Sequence, residues 1–142
     1  MKKILLTIVC AALCTIAIAQ NNEKKPVIRF DSITIDAGTF SADTAIIQYK
    51  FVYKNIGDAP LYIHKVTTAC GCTAANFSTE PLMPGKKDTI HVTYDGTKKY
   101  PGKMRRSITV HNNSTKEIVR LYIKGNMLPA EITEVPDAEP VE

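Results

Sequence analysis

Apolar and polar side chains alternate through much of this sequence, and this period of two limits the folds that the chain can adopt. In the segment 44–55, Ile47, Tyr49, Phe51 and Tyr53 occupy every second position, with mainly polar residues between them. Successive side chains of a β-strand point to opposite faces, whereas an α-helix repeats every 3.6 residues. We therefore predict a strand with one face in a core and the other toward solvent.

Similar alternation recurs along the rest of the chain. It predicts strands at 61–66, 88–95, 103–111 and 117–124, and one or two short strands at 27–30 and 32–35. The apolar phase shifts near His64 and Lys65, which indicates a β-bulge. In 103–111, Arg106 is the exception, because it shares its phase with the apolar residues Met104 and Ile108.

Turn residues separate these segments, for example Asp36-Ala37-Gly38, Asn55-Ile56-Gly57-Asp58 and Pro84-Gly85. Hydrophobic residues make up 44% of the chain and charged residues 23%, a balance typical of a packed globular protein. About seven short strands with frequent turns predict an all-β fold, an immunoglobulin-like antiparallel β-sandwich. The antibody hallmarks are missing, because the chain has no Trp.

The first nineteen residues have the pattern of a secretory signal peptide. Lys2 and Lys3 precede an uncharged, mostly apolar run of about 15 residues, which is shorter than the roughly 20 that a spanning helix needs. An Ala-Ile-Ala sequence then predicts cleavage between Ala19 and Gln20. The alternative is an uncleaved N-terminal anchor. We expect an exported protein, periplasmic or extracellular, with no integral membrane segment after cleavage.

The mature chain divides by composition into three parts. We predict a linker at 20–26, the sandwich domain at 27–128 and an acidic disordered tail at 129–142. The tail has five acidic residues, three prolines and no basic residue, whereas 20–128 carries sixteen basic and nine acidic residues, a net charge of +7. The tail is interpreted as solubilising; a sharper hypothesis is that it screens a basic face of its own domain.

Several motifs of the mature body resemble the bacterial family known as domain of unknown function 1573. The matching stretches are Asp36-Ala37-Gly38-Thr39-Phe40, Asn55-Ile56-Gly57-Asp58-Ala59-Pro60-Leu61, Thr68-Ala69-Cys70-Gly71-Cys72-Thr73, Pro84-Gly85-Lys86 and Leu121-Tyr122-Ile123-Lys124-Gly125. The resemblance implies an exported β-sandwich similar to the domains of cilia- and centrosome-associated scaffold proteins. It implies no assigned activity and supplies no catalytic residue.

Cys70 and Cys72 are the sharpest chemical feature, since the other two cysteines fall in the predicted signal peptide. Two thiols separated by a glycine can close a small disulfide or chelate a soft ion such as Cu(I). An exported protein meets oxidising conditions, in which free thiols do not persist. Three interpretations stay open: a structural pair at a strand end, a redox-labile disulfide, and a copper site that would make copper the cofactor.

A second candidate site is a basic cluster around one turn: Lys98, Lys99, Lys103, Arg105 and Arg106. It could contact an acidic glycan, lipid headgroups or a protein, or be a solvated hairpin end; nucleic acid is not expected outside the cell. The spacing of His64, His91 and His111 matches no metal-ligand pattern, and alternation predicts that His91 faces water.

The sequence contains no nucleophile elbow, phosphate-binding loop or zinc-protease motif. The hypothesis is therefore a non-enzymatic binding or scaffold module of the cell envelope, with no cofactor. It would recognise a protein or envelope component through a sheet face or a strand edge. The alternative is a copper-binding or thiol-redox protein that uses Cys70 and Cys72.

Overall fold

The computed structural model describes residues 23–44, 46–97 and 99–130. The predicted signal peptide with its cleavage point at Ala19 and Gln20, the residue Lys98, and the tail from 131 onward lie outside these ranges. Within them, no helix is long and apolar enough to cross a membrane.

The described chain forms eight strands and one 3-10 turn, Ala42–Thr44. The strands are β1 Ile28–Phe30, β2 Thr34–Ser41, β3 Ile46–Asn55, β4 Ile63–Thr68, β5 Thr73–Asn76, β6 Lys87–Asp95, β7 Gly102–Asn112 and β8 Ile118–Leu128. They build two four-stranded sheets with the orders β1-β3-β6-β5 and β2-β8-β7-β4. The predicted β-sandwich is confirmed.

All strand pairs but one are antiparallel. The exception is β2, which runs parallel to β8. The chain crosses from one sheet to the other between β1 and β2, so β2 reaches the edge beside the last strand without a hairpin to impose an antiparallel direction.

Two local features differ from the sequence-based expectation. The Asp36-Ala37-Gly38 segment, expected to be a turn, lies inside β2, where the register with β8 shifts between Asp36 and Thr39. Gly38 has a φ of 64°, and its N–H donates to Asp36 Oδ1, so the turn-forming residues make a bulge within a strand. The strand β5 was not expected at all.

The hydrophobic core lies between the sheets and follows the alternation. Phe51, Ile90, Ile108 and Leu121 are each at most 1% exposed, and they come from β3, β6, β7 and β8 respectively. The predicted bulge near His64 and Lys65 is confirmed, because the β4–β7 register shifts between Ile63 and Lys65.

The residues just before β1 are held against the domain. Lys25 C=O accepts the N–H of Asp58, Pro26 is buried, and Val27 C=O accepts the N–H of Ile56. The end of the segment predicted as a linker is therefore packed onto the loop that follows β3.

Candidate functional site

The chain crosses from β4 in one sheet to β5 in the other through a short loop that holds both mature cysteines. Cys70 and Cys72 form a disulfide with an S–S distance of 2.02 Å and a Cα–Cα distance of 5.2 Å. Both residues are half-buried and Gly71 between them is exposed. A Cβ added at Gly71 would contact nothing within 4 Å, so the space above the loop is open.

Backbone hydrogen bonds fix this loop on both sides. Ala69 N–H donates to Ser107 C=O of β7, and Asp95 N–H donates to Cys72 C=O from β6. The carbonyl oxygen of Cys70 accepts from Thr73 N–H and from Thr68 Oγ1. Hydrogen bonds thus hold the loop to both sheets, and the disulfide closes the loop on itself.

One hydroxyl group lies beside the two sulfurs. Thr73, only 5% exposed, places Oγ1 at 3.5 Å from Cys70 Sγ and at 4.0 Å from Cys72 Sγ. A cleft of about 280 Å³ opens next to Cys72. Gly71, Asp95, Thr97 and Lys99 complete its lining.

The disulfide bears on the interpretations of the cysteine pair. Cu(I) is bound by thiolates, and both sulfurs are bonded to each other in this structure, so copper binding would first require reduction. No group of three or more His, Cys, Asp or Glu side chains in the described ranges is arranged to hold a metal ion. His64 and His111 line one cleft on the outer side of β4 and β7, and His91 is exposed as predicted.

A second feature is a positively charged surface on the outer side of the sheet β2-β8-β7-β4. We call it the basic face and define it by the outward side chains of Lys65, Lys103, Arg105, Arg120 and Lys124. Four of these residues lie on the adjacent strands β7 and β8, and Arg105 stands directly opposite Lys124. Like charges that face each other across a sheet repel.

Two contacts offset this repulsion. The guanidinium carbon of Arg105 lies 4.2 Å from the ring centroid of Tyr122, a cation–π arrangement. Lys124 Nζ lies 3.2 Å from Asp36 Oδ2. A hydrogen bond from Gly38 N–H, followed by the hydrogen bond and charge of Lys124, holds the pKa of Asp36 below its ordinary value of 3.8, so this carboxylate stays ionised at neutral pH.

The structure separates the basic residues singled out in the sequence. Lys103 and Arg105 lie on the basic face, whereas Lys99 is exposed before β7 and lines the cleft beside Cys72. Arg106 points inward: it is half-buried, and its guanidinium carbon lies 5.5 Å from the ring centroid of Tyr94. Its Nε is buried without a hydrogen-bond partner in the described part of the chain.

Lys65, Arg120 and Lys124 were not among the sequence-based candidates. Alternation in β8 turns Val119, Leu121 and Ile123 inward and thereby turns Arg120 and Lys124 outward. That signal is present in the sequence, but it does not reveal that β8 lies between β2 and β7.

These features define a class: an immunoglobulin-like β-sandwich with a disulfide in one crossover loop and a basic face on one sheet. The chain belongs to the family "Protein of unknown function (DUF1573)", whose model matches residues 28–127. The resemblance seen in the sequence is therefore confirmed. No curated protein matches the chain.

Solved structures share the fold at low sequence identity. A protein of unknown function from Porphyromonas gingivalis W83 is 18% identical with a TM-score of 0.63, over 76% of this chain and 50% of that one. The chain thus spans about half the length of that protein. The ASH/PapD-like domain 7 of human CEP192 is 13% identical with a TM-score of 0.56, and the match covers 81% of this chain and 93% of that domain. The E. coli chaperone DraB is 10% identical with a TM-score of 0.51, and the match covers 73% of this chain and 55% of the chaperone.

Proposed function

We propose that this protein is an exported, non-enzymatic binding module that holds an acidic partner protein on the basic face. The observation that carries the proposal is the Arg105–Tyr122 stack together with the four other cations of the basic face, of which Lys124 forms an ion pair with Asp36. Complementary charge steers a partner and fixes its orientation. Arginine and tyrosine are also among the side chains enriched at binding hot spots.

A sheet face is better supported as the binding surface than a strand edge is. Strand addition needs a long, regular edge with free backbone groups. Here β1 and β5 are edge strands of three and four residues, and the edge strands β2 and β4 each contain a register shift. Short and bulged edges are the features by which proteins prevent strand addition.

The outer side of the other sheet also carries positive charge, so charge alone does not select a face. There Arg29, Lys54 and Lys87 stand side by side across three strands, and Lys87 pairs with Asp31. That side presents no outward Phe, Tyr or Trp in the described strands, although His91 and Ile46, which is 62% exposed, lie on it. The basic face has Tyr122 at its centre and the half-exposed Ile118 at its end, which supplies apolar area for an interface.

Two observations support export. The N-terminal residues follow the signal-peptide pattern, and the Cys70–Cys72 bond is of a kind that persists in oxidising compartments. The proposed compartment is the periplasm or the extracellular space, where the partner would be another envelope protein.

The test compares two charge-reversal variants of the protein that begins at Gln20. Arg105→Glu/Arg120→Glu alters the basic face, and Lys50→Glu/Lys54→Glu makes the same change in charge on the opposite sheet. A synthetic polyglutamate peptide is the probe, and amide chemical-shift changes by NMR map its site. We expect shifts on β7 and β8 and a loss of affinity of at least about tenfold in the first variant, because attraction becomes repulsion.

Equal weakening in both variants would overturn the proposal, since it would indicate attraction to net charge without a defined site. Amide chemical-shift changes that centre on β3 and β6 would also overturn the proposal. A second measurement uses vesicles that contain anionic lipid. If the protein binds the vesicles and does not bind the peptide, the partner is not an acidic protein.

A further inference from the structure

The Cys70–Cys72 disulfide is poorly placed to stabilise the fold. A disulfide stabilises a protein mainly by closing a long loop in the unfolded chain, and these cysteines are separated by two positions in the sequence. The loop they close is already held to β6 and β7 by the hydrogen bonds of Cys72 and Ala69. Its presence therefore calls for an explanation other than stability.

The same bond is accessible to a reactant. Gly71 is exposed with open space above it, and both cysteines are only half-buried. The cleft of about 280 Å³ is lined by Cys72, by Lys99 and by Asp95, whose Oδ1 accepts hydrogen bonds from Thr97. A thiolate is the nucleophile that attacks disulfides, and the open cleft beside Cys72 gives it room to approach.

The surroundings of the two sulfurs are unequal. Cys72 lines the cleft and also packs against the hydrophobic core, whereas Cys70 Sγ is the sulfur closer to the hydroxyl of Thr73. A buried hydroxyl can donate to a thiolate and so stabilise it as a leaving group. The shorter distance favours Cys70 as the departing sulfur, so Cys72 is taken as the attacked one.

We propose that Cys70–Cys72 is a thiol–disulfide exchange centre whose reactant is an external dithiol. A thiolate of the dithiol attacks Cys72 Sγ, the Cys70–Cys72 bond breaks, and Cys70 leaves as a thiolate beside Thr73 Oγ1. The second thiolate of the dithiol then attacks the first sulfur of the same dithiol, which is bonded to Cys72. The mixed disulfide breaks, and Cys72 leaves as a thiolate. The external dithiol loses two electrons and becomes a disulfide, and Cys70 and Cys72 gain them and take up two protons.

The first experiment measures whether the bond opens in the folded protein. The protein beginning at Gln20 is equilibrated with mixtures of reduced and oxidised glutathione and then alkylated, and intact mass reports the reduced fraction. Structural disulfides resist the glutathione pool. We expect reduction within the range that glutathione covers, while circular dichroism stays unchanged. A bond that remains closed under native conditions in excess reduced dithiothreitol would overturn the proposal.

The second experiment tests the assignment of the two sulfurs. Glutathione adducts trapped by acid quenching are located by peptide mass spectrometry. We expect them on Cys72, and equal or greater labelling of Cys70 contradicts the mechanism. Cys70→Ser and Cys72→Ser provide a matched pair: because Thr73 favours the thiolate of Cys70, the thiol of Cys70 in the second variant should react faster with an aromatic disulfide at neutral pH than the thiol of Cys72 in the first.

Thr73→Val tests the role of the hydroxyl group. Removing a hydrogen bond to a charged leaving group should slow reduction about tenfold. Thr67→Val on β4 is the control, and we expect it to react at the wild-type rate. Equal rates in the two variants would remove Thr73 from the mechanism. These outcomes do not depend on the basic face, so the two proposals can fail separately.

Discussion

At the scale of single residues, Asn55 is the most consequential polar side chain in the fold. It is 0% exposed at the end of β3. Its Nδ2 donates to the carbonyl oxygens of Ala59 and Leu82, each at 2.8 Å, and its Oδ1 accepts the N–H groups of Gly57 and Val27. One amide therefore satisfies backbone groups from three separate segments, which fixes the loop after β3.

We predict that Asn55→Ala destabilises the domain strongly. The substitution leaves buried carbonyl and N–H groups without partners, and each such group costs about 1–3 kcal/mol. The free energy of unfolding, measured by urea denaturation, should fall by about 3 kcal/mol. The control Asn76→Ala, at an exposed position, should change it by less than about 0.5 kcal/mol. Similar losses in the two variants would show that Asn55 has no special role.

At the scale of strands, the sequence predicts well where alternation is strong. Four strands, β3, β6, β7 and β8, were predicted close to their observed bounds because large apolar residues recur at every second position. The prediction for β8 ended at residue 124, whereas the strand continues to Leu128. Gly125 breaks the pattern, and it is required there because a Cβ would lie 2.9 Å from Ala37 Cβ in the bulge of β2.

The missed strand β5 shows what alternation cannot supply. Its sequence, Thr-Ala-Ala-Asn, has no large apolar residue, so its conformation comes from pairing with β6 and not from local propensity. The basic face was missed in part for the same reason. The cluster near one turn was visible, but the face joins β4, β7 and β8, and strand order is a tertiary property.

A glycine pair tests the packing of the segment before β1. A Cβ at Gly57 would meet the backbone of Lys25, Pro26 and Val27, which cannot move aside as a flexible side chain can. We predict that Gly57→Ala lowers the free energy of unfolding by about 2 kcal/mol and increases proteolysis near Lys24 and Lys25. Gly71→Ala is the matched control, since its Cβ meets nothing. Stability equal to wild type in Gly57→Ala would contradict this close contact.

At the scale of the whole molecule, two inward tyrosines connect core packing to pH. Burial, followed by the charge and hydrogen bond of Asp88, raises the pKa of Tyr53, whose hydroxyl donates to Asp88 Oδ2 at 3.2 Å. Burial and the proximity of Tyr94 raise the pKa of Tyr49. The folded state therefore keeps both hydroxyls protonated at pH values where the unfolded chain ionises.

The sign of the resulting pH dependence follows from linkage. A group whose pKa is raised by folding contributes stability that is fully present below the unfolded value, here 10.0, and is lost as pH rises through the folded value. We predict that the free energy of unfolding falls steeply above pH 10. In Tyr49→Phe/Tyr53→Phe the slope should be shallower, because two of the linked protons are gone. Tyr100→Phe, at a position 96% exposed, should keep the wild-type slope. If the double variant also kept the wild-type slope, the alkaline sensitivity would have to come from groups other than Tyr49 and Tyr53.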